Sequence, residues 1–165
     1  MTYSNRVLEE ELSGYRFVAG KIIPVSSEQE VSSVERAIKD SASLFPNATE
    51  HLRQSINLLS QKPRGDFRNS IKESISAVEA LCAAVTGDPK ATLGQALKVI
   101  DPKELHGALR SAFEKLYGYT SDAEGIRHAL MEEETLEQED AVFMLVACSA
   151  FISYVIAKQA RKDRR

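Results

Sequence analysis

Residues 141–157 read AVFMLVACSAFISYVIA, seventeen positions without a charge. That run limits what the chain can become. A bilayer span needs about 20 apolar residues, with about 17 as the lower edge. This one includes Ser149, Ser153 and Tyr154, and four of its residues are alanine. Acidic side chains precede it (Glu132, Glu133, Glu134, Glu137, Glu139, Asp140) and basic ones follow it (Lys158, Arg161, Lys162, Arg164, Arg165). Negative charge at the start and positive charge at the end suit the dipole of a single helix. The same order imitates the flanks of a tail anchor. Elsewhere the chain has five amphipathic segments that need a common core element. The run is therefore expected to be the central helix of an all-α bundle, buried on most sides, and no membrane partner is expected.

The other segments come from the periodicity. Residues 5–13 read as a short helix with Val7, Leu8 and Leu12 on one side, stopped at Gly14. Two β-favouring runs follow, Tyr15 to Val18 and Lys21 to Val25, joined by Ala19-Gly20; this is a hairpin signal, with Pro24 limiting the second strand to an edge. Ser26 or Ser27 can cap the next helix, with Glu28 and Glu30 in its first turn and Val31, Val34 and Ile38 facing inward. From Pro46 onward the pattern is helical. Residues 48–60 form one segment. Lys62-Pro63-Arg64-Gly65 breaks it, and Asp66 caps a helix over Phe67–Thr86. In that helix Phe67, Ile71, Ile75, Val78, Cys82 and Val85 make a stripe with spacings of 4, 4, 3, 4 and 3. Further helices are expected over residues 92–100, from Asp101-Pro102 to about Tyr117, over 122–131, and from about Thr135 to the end, with a turn at 118–121. The expected organisation is a helix, hairpin and helix appendage over residues 1–42 and a helical bundle over 43–165.

A chain of 165 residues is long enough to bury a core without disulfide or metal staples. Two cysteines 66 positions apart make neither a zinc pattern nor a redox pair. Cys82 on the apolar stripe and Cys148 in the apolar run read as small buried hydrophobes. The polar, acidic first twelve residues do not look like a signal peptide, so a reducing cytoplasm is the expected location. A net charge of −3 argues against a protein that coats nucleic acid but allows a local basic site.

Candidate chemistry is concentrated in two places. His51 and His106 each sit beside a leucine and read as structural or solvent-facing. His128 is in different company: Tyr117, Gly118, Tyr119, Asp122, Glu124, Gly125 and Arg127 share its twelve-residue string. On the long helix, Arg68, Lys72 and Glu79 share one flank of the stripe, with Asn69, Glu73 and Ser76 further toward solvent. That flank is either a solvated face with ordinary ion pairs, such as Glu79 with Lys72, or a polar ledge beside a groove. The sequence has no Gly-rich phosphate loop, no HExxH, no GxSxG and no convincing metal spacing; no cofactor is expected.

Two strings resemble a known family. Asp66-Phe67-Arg68-Asn69-Ser70-Ile71-Lys72-Glu73-Ser74-Ile75-Ser76-Ala77-Val78-Glu79-Ala80 is one. Lys115-Leu116-Tyr117-Gly118-Tyr119 with Gly125-Ile126-Arg127-His128 is the other. Together, over about residues 46–160, they resemble the HEPN superfamily (higher eukaryotes and prokaryotes nucleotide-binding), as found in bacterial abortive-infection proteins. The resemblance implies a HEPN-like helical bundle, usually a symmetric homodimer, often a metal-independent endoribonuclease of a defence or toxin system. It implies Arg127 and His128 as catalytic residues, and Arg68, Asn69, Lys72, Glu79, Tyr117 and Tyr119 as RNA-binding residues. The family's histidine usually stands four to six residues after the arginine. Here His128 follows Arg127 directly, and glutamates occupy positions 132, 133 and 134. Either His128 fills the motif's polar position and the usual histidine is missing, or Arg127–His128 itself acts. The first alternative implies an inactive dimerisation, sensor or RNA-binding module of a longer defence protein, with an upstream domain or defence partner.

Overall fold

The computed structural model describes residues 2–100, 107–121 and 136–162. Its elements are α1 (Tyr3–Glu10), β1 (Arg16–Val18), β2 (Lys21–Ile23), α2 (Glu28–Ser41), α3 (Pro46–Leu59), α4 (Phe67–Thr86), α5 (Leu93–Ile100), α6 (Gly107–Ser121) and α7 (Gln138–Lys162). The class is all-α, with one small antiparallel hairpin.

α1 begins earlier than its apolar pattern indicates, because Thr2 caps it by accepting the Asn5 N–H. It also ends differently. The Ser13 N–H donates to Leu8 O at 2.8 Å and the Leu12 N–H to Glu9 O at 3.0 Å, the two bonds of a Schellman close. The residue in left-handed backbone is Leu12, at φ 55°, where glycine was expected two positions later. The expected hairpin is present. Ala19 and Gly20 both have positive φ, 49° and 82°, as a type I′ turn requires, and Phe17 pairs with Ile22. Asn5 seals the outer edge of β1: its Nδ2 donates to Phe17 O at 2.9 Å and its Oδ1 accepts the Phe17 N–H at 2.6 Å. A side chain thus supplies what a third strand would have supplied.

α2 starts on a full capping box. Ser27 Oγ accepts the Glu30 N–H at 3.1 Å, and the Glu30 carboxylate accepts the Ser27 N–H at 3.0 Å and the Ser26 N–H at 3.1 Å. Burial pushes the Glu30 carboxyl up, but the hydrogen bonds from Ser27 and Ser26 outweigh it, and the group sits below its ordinary value of 4.5. Val31, Val34, Ala37 and Ile38 are buried, and α2 lies along α7. Side chains from β1, β2 and α2 therefore belong to the same core as α3, α4 and α7.

α3 and α4 form the tightest pair. Ser55, Ser70 and Ser74 are fully buried between them. Ser55 Oγ lies 3.0 Å from Ser70 Oγ and 2.8 Å from Ser74 Oγ, while Ser70 Oγ donates to Ser55 O at 3.0 Å. Small side chains bring the two backbones close, and each hydroxyl finds a partner inside the contact. The connecting loop is equally close: a Cβ on Gly65 would lie 2.7 Å from Leu59 O. Asp66 caps α4, as expected, and Gly87 at φ 73° closes it.

α6 stays helical through Gly118 to Ser121, where a turn was expected. Its docking explains this. Phe113 meets Phe151 of α7 edge-to-face at 4.7 Å between centroids, and Leu116 and Tyr117 pack against the core. Tertiary packing outweighs the weak propensity of one glycine. The expected helix over residues 122–131 and the Asp101-Pro102 start lie outside the described residues.

α7 is the central helix, packed against α2, α4, α3 and α5. It is not buried on most sides. Ala141, Met144, Leu145, Cys148, Ser149, Phe151, Ile152 and Val155 are buried. At 100° per residue they cover an arc of about 160°. Phe143, Ala150 and Ala157 are exposed on the other side. By length and composition α7 could cross a membrane, and 44% of its most apolar window is buried within this fold.

Two outcomes follow. Leu12 is 91% exposed, so Leu12→Gly gives up little packing and relieves the left-handed strain; urea unfolding should show a gain of up to about 1 kcal/mol. The Glu30 bonds stabilise only the charged carboxylate. Their contribution is full near neutral pH and is lost as the pH falls through 4.5 and then through the lower folded value. Glu30→Gln should therefore be less stable than the wild type near neutral pH, and the difference should shrink as the pH falls below 4.5.

Candidate functional site

The long, cleanly amphipathic helix α4 carries most of the described candidate residues. Their side chains divide between helix architecture and the flank. Asn69 belongs to the cap of α4: its backbone N–H donates to Asp66 Oδ1 at 3.1 Å and its Nδ2 to Asp66 Oδ2 at 2.7 Å. Arg68 is half-buried and Lys72 exposed. With Glu79 they run along one side of the helix for about 16 Å, at 1.5 Å per residue.

The fold brings two of the candidates together from different helices. The Tyr117 hydroxyl on α6 donates to Glu79 Oε1 on α4 at 2.5 Å. Both side chains are half-buried. Glu79 thus joins α6 to the polar flank of α4. Tyr119 lies on the same helix, two residues on. Arg127 and His128 lie outside the described residues, so the geometry described is that of the flank alone.

The groove expected beside this flank is nearly filled. Ile75 and Val78 of α4, Phe113, Leu116 and Tyr117 of α6, and Met144, Ala147, Cys148 and Phe151 of α7 line a cavity of about 20 Å³. That is about the space of a single water molecule, and its walls are apolar. A nucleobase cannot enter it without separating α6 from α7.

A second polar contact was not legible in the sequence. His51 Nδ1 on α3 lies 2.7 Å from Glu73 Oε2 on α4. Glu73 was expected further toward solvent; it is 28% exposed because it crosses to the neighbouring helix. The two residues are 22 positions apart, and no short-range pattern connects them. Arg64, in the α3–α4 loop, lies over the Phe67 ring at 5.2 Å and donates to Leu136 O at 3.3 Å, fastening that loop to the approach to α7.

The cysteines are buried, as expected. Burial, and secondarily the Glu79 carboxylate, pushes the Cys82 thiol up to about 12; burial alone pushes Cys148 to about 12. Neither forms a thiolate near neutral pH. Among the described residues no group of three or more His, Cys, Asp or Glu side chains could hold a metal ion.

No family model, no curated protein and no solved structure matches this chain.

The Tyr117–Glu79 bond can be measured directly. Tyr117→Phe keeps the ring but withdraws the proton donor from a half-buried carboxylate. Equilibrium unfolding should show a loss of about 1.5–3 kcal/mol, as for other hydrogen bonds to charged groups.

Proposed function

We propose that this chain is a HEPN-type, metal-independent endoribonuclease acting as a homodimer in a bacterial abortive-infection or toxin-type defence system. The observation that supports it most is the Glu79–Tyr117 contact. It ties α6, whose chain continues toward Arg127 and His128, to the flank of α4 that carries Arg68 and Lys72. From Ser121, the last residue of α6, six residues of chain reach Arg127. They span at most about 21 Å, which is comparable to the length of the flank.

The chemistry needs little apparatus. RNA carries its own nucleophile, the 2′-hydroxyl. A base must take that proton, and a cation must hold the charge that grows on the phosphate. Imidazole titrates near neutrality and suits the first task; guanidinium is planar and always charged and suits the second. His128 and Arg127 are of those two types. In a homodimer the pair is doubled, so one histidine can take the 2′ proton while its mate protonates the departing 5′ oxygen. Arg68 and Lys72 would hold neighbouring phosphates, and Tyr119 could stack a base.

A second reading has an observation of its own. Asn69 is engaged in the α4 cap, Tyr117 donates to Glu79, and the cavity beside them holds no more than a water molecule. A flank so engaged suits a catalytically inactive HEPN-like module for dimerisation, sensing or RNA binding.

Purified chain incubated with mixed RNA in EDTA distinguishes the two. The nuclease reading expects cleavage that persists in EDTA and falls to background in both His128→Ala and Arg127→Ala. Equal background in all three proteins overturns it.

A further inference from the structure

We propose that the outward face of α7 is where a second copy of this chain docks, the two α7 helices lying antiparallel about Ala150. At 100° per residue, Glu139, Phe143, Ala150, Ala157 and Arg161 fall within about 20° of a single line along α7. All five are exposed, Phe143 by 59%. The line is opposite the arc that faces α2 and α4. It is the side of an apolar helix that this fold leaves in water among the described residues.

The order of these residues selects the occupant. Phe143 and Ala157 are each seven positions from Ala150, and Glu139 and Arg161 are each eleven. When two copies pair antiparallel about Ala150, each Phe143 ring lies over Ala157 of the second copy. Ala150 meets itself, where its small side chain lets the backbones approach. Half-buried Val146 falls opposite half-buried Tyr154 by the same rule. Seven-residue spacing keeps the seam in register for helices crossing at a shallow angle.

Charge decides the direction. The first turn of α7 carries Glu139 and Asp140, and its last turns carry Lys158 and Arg161. Antiparallel pairing places each acidic end on the other copy's basic end. Parallel pairing would place like on like. Beside Phe143 a cleft of about 430 Å³ has Glu30 and Glu139 in its wall. In the antiparallel pair the second copy's basic end points at that cleft.

The interface rests on the homodimer of the proposed function and gives it a place on the surface of α7. A dimer that Ala150→Arg leaves intact overturns this interface alone; a dimer held through α7 that fails to cleave RNA overturns the nuclease alone.

Sedimentation of the full chain should give twice the 18.3 kDa of one copy. Ala150→Arg should weaken the dimer at least tenfold while circular dichroism keeps the helical signal. Glu139→Arg alone and Arg161→Glu alone should each weaken it, and the double exchange should restore it. The conservative Ala150→Cys leaves the fold alone and should give a disulfide-linked dimer on mild oxidation, while Glu35→Cys on exposed α2 should not. A monomeric wild type, equal cross-linking at both positions, or recovery of the chain only with detergent or vesicles would each overturn the proposal.

Discussion

Burial of one arc of α7 organises everything else in the described structure. The helix is too apolar to lie on a surface and too long to vanish into a small core, so the other elements are arranged around it. α2 covers one side and α4 the other, α3 is held to α4 by hydroxyl contacts, and α6 adds an aromatic clamp through Phe113. The hairpin participates through Val18 and Ile23, both fully buried. At about 25 cal/mol per Å² of apolar surface, a dozen such side chains supply most of the drive to fold. The polar contacts mainly decide which arrangement of helices results.

What could be read in advance depended on distance along the chain. Helix caps are local, so Ser26 or Ser27 with an acidic first turn announced α2, and the structure selects Ser27. The Ala19-Gly20 link announced its turn, and the 4, 4, 3, 4, 3 spacing announced α4 to the residue. Local rules failed where packing or a backbone pair replaced the usual residue type. Leu12 took a position that favours glycine, because Leu8 O and Glu9 O were there to receive the two closing bonds. Gly118 did not stop α6, because the ring of Phe113 and the hydroxyl of Tyr117 already held that helix to α7 and α4. His51 with Glu73, and Ser55 with Ser70 and Ser74, join residues 15 to 22 positions apart. No periodicity encodes such contacts; they exist only once α3 and α4 lie side by side.

The candidate site divides along the same boundary. That Arg68, Lys72 and Glu79 share a flank follows from helical geometry alone. That Glu79 receives Tyr117 does not, since it needs α6 to dock. The contact has a cost for chemistry: a carboxylate holding a phenol is less available to a ligand, and a nearly filled cavity excludes one. Polar residues beside a packed core therefore serve two ends, positioning helices and offering charge, and here the first is plainly in use. Of the basic groups on the flank, Lys72 is exposed and Arg68 half-buried.

The sealed thiols have a consequence of a different kind. Cysteine content is commonly read as a sign of compartment, because exposed thiols fare badly in oxidising surroundings. Cys82 and Cys148 carry no such information. Each is buried and held protonated far above neutral pH, so neither oxidants nor electrophiles find a thiolate in the folded chain. Once the bundle has formed, thiol chemistry reaches neither cysteine without opening the core.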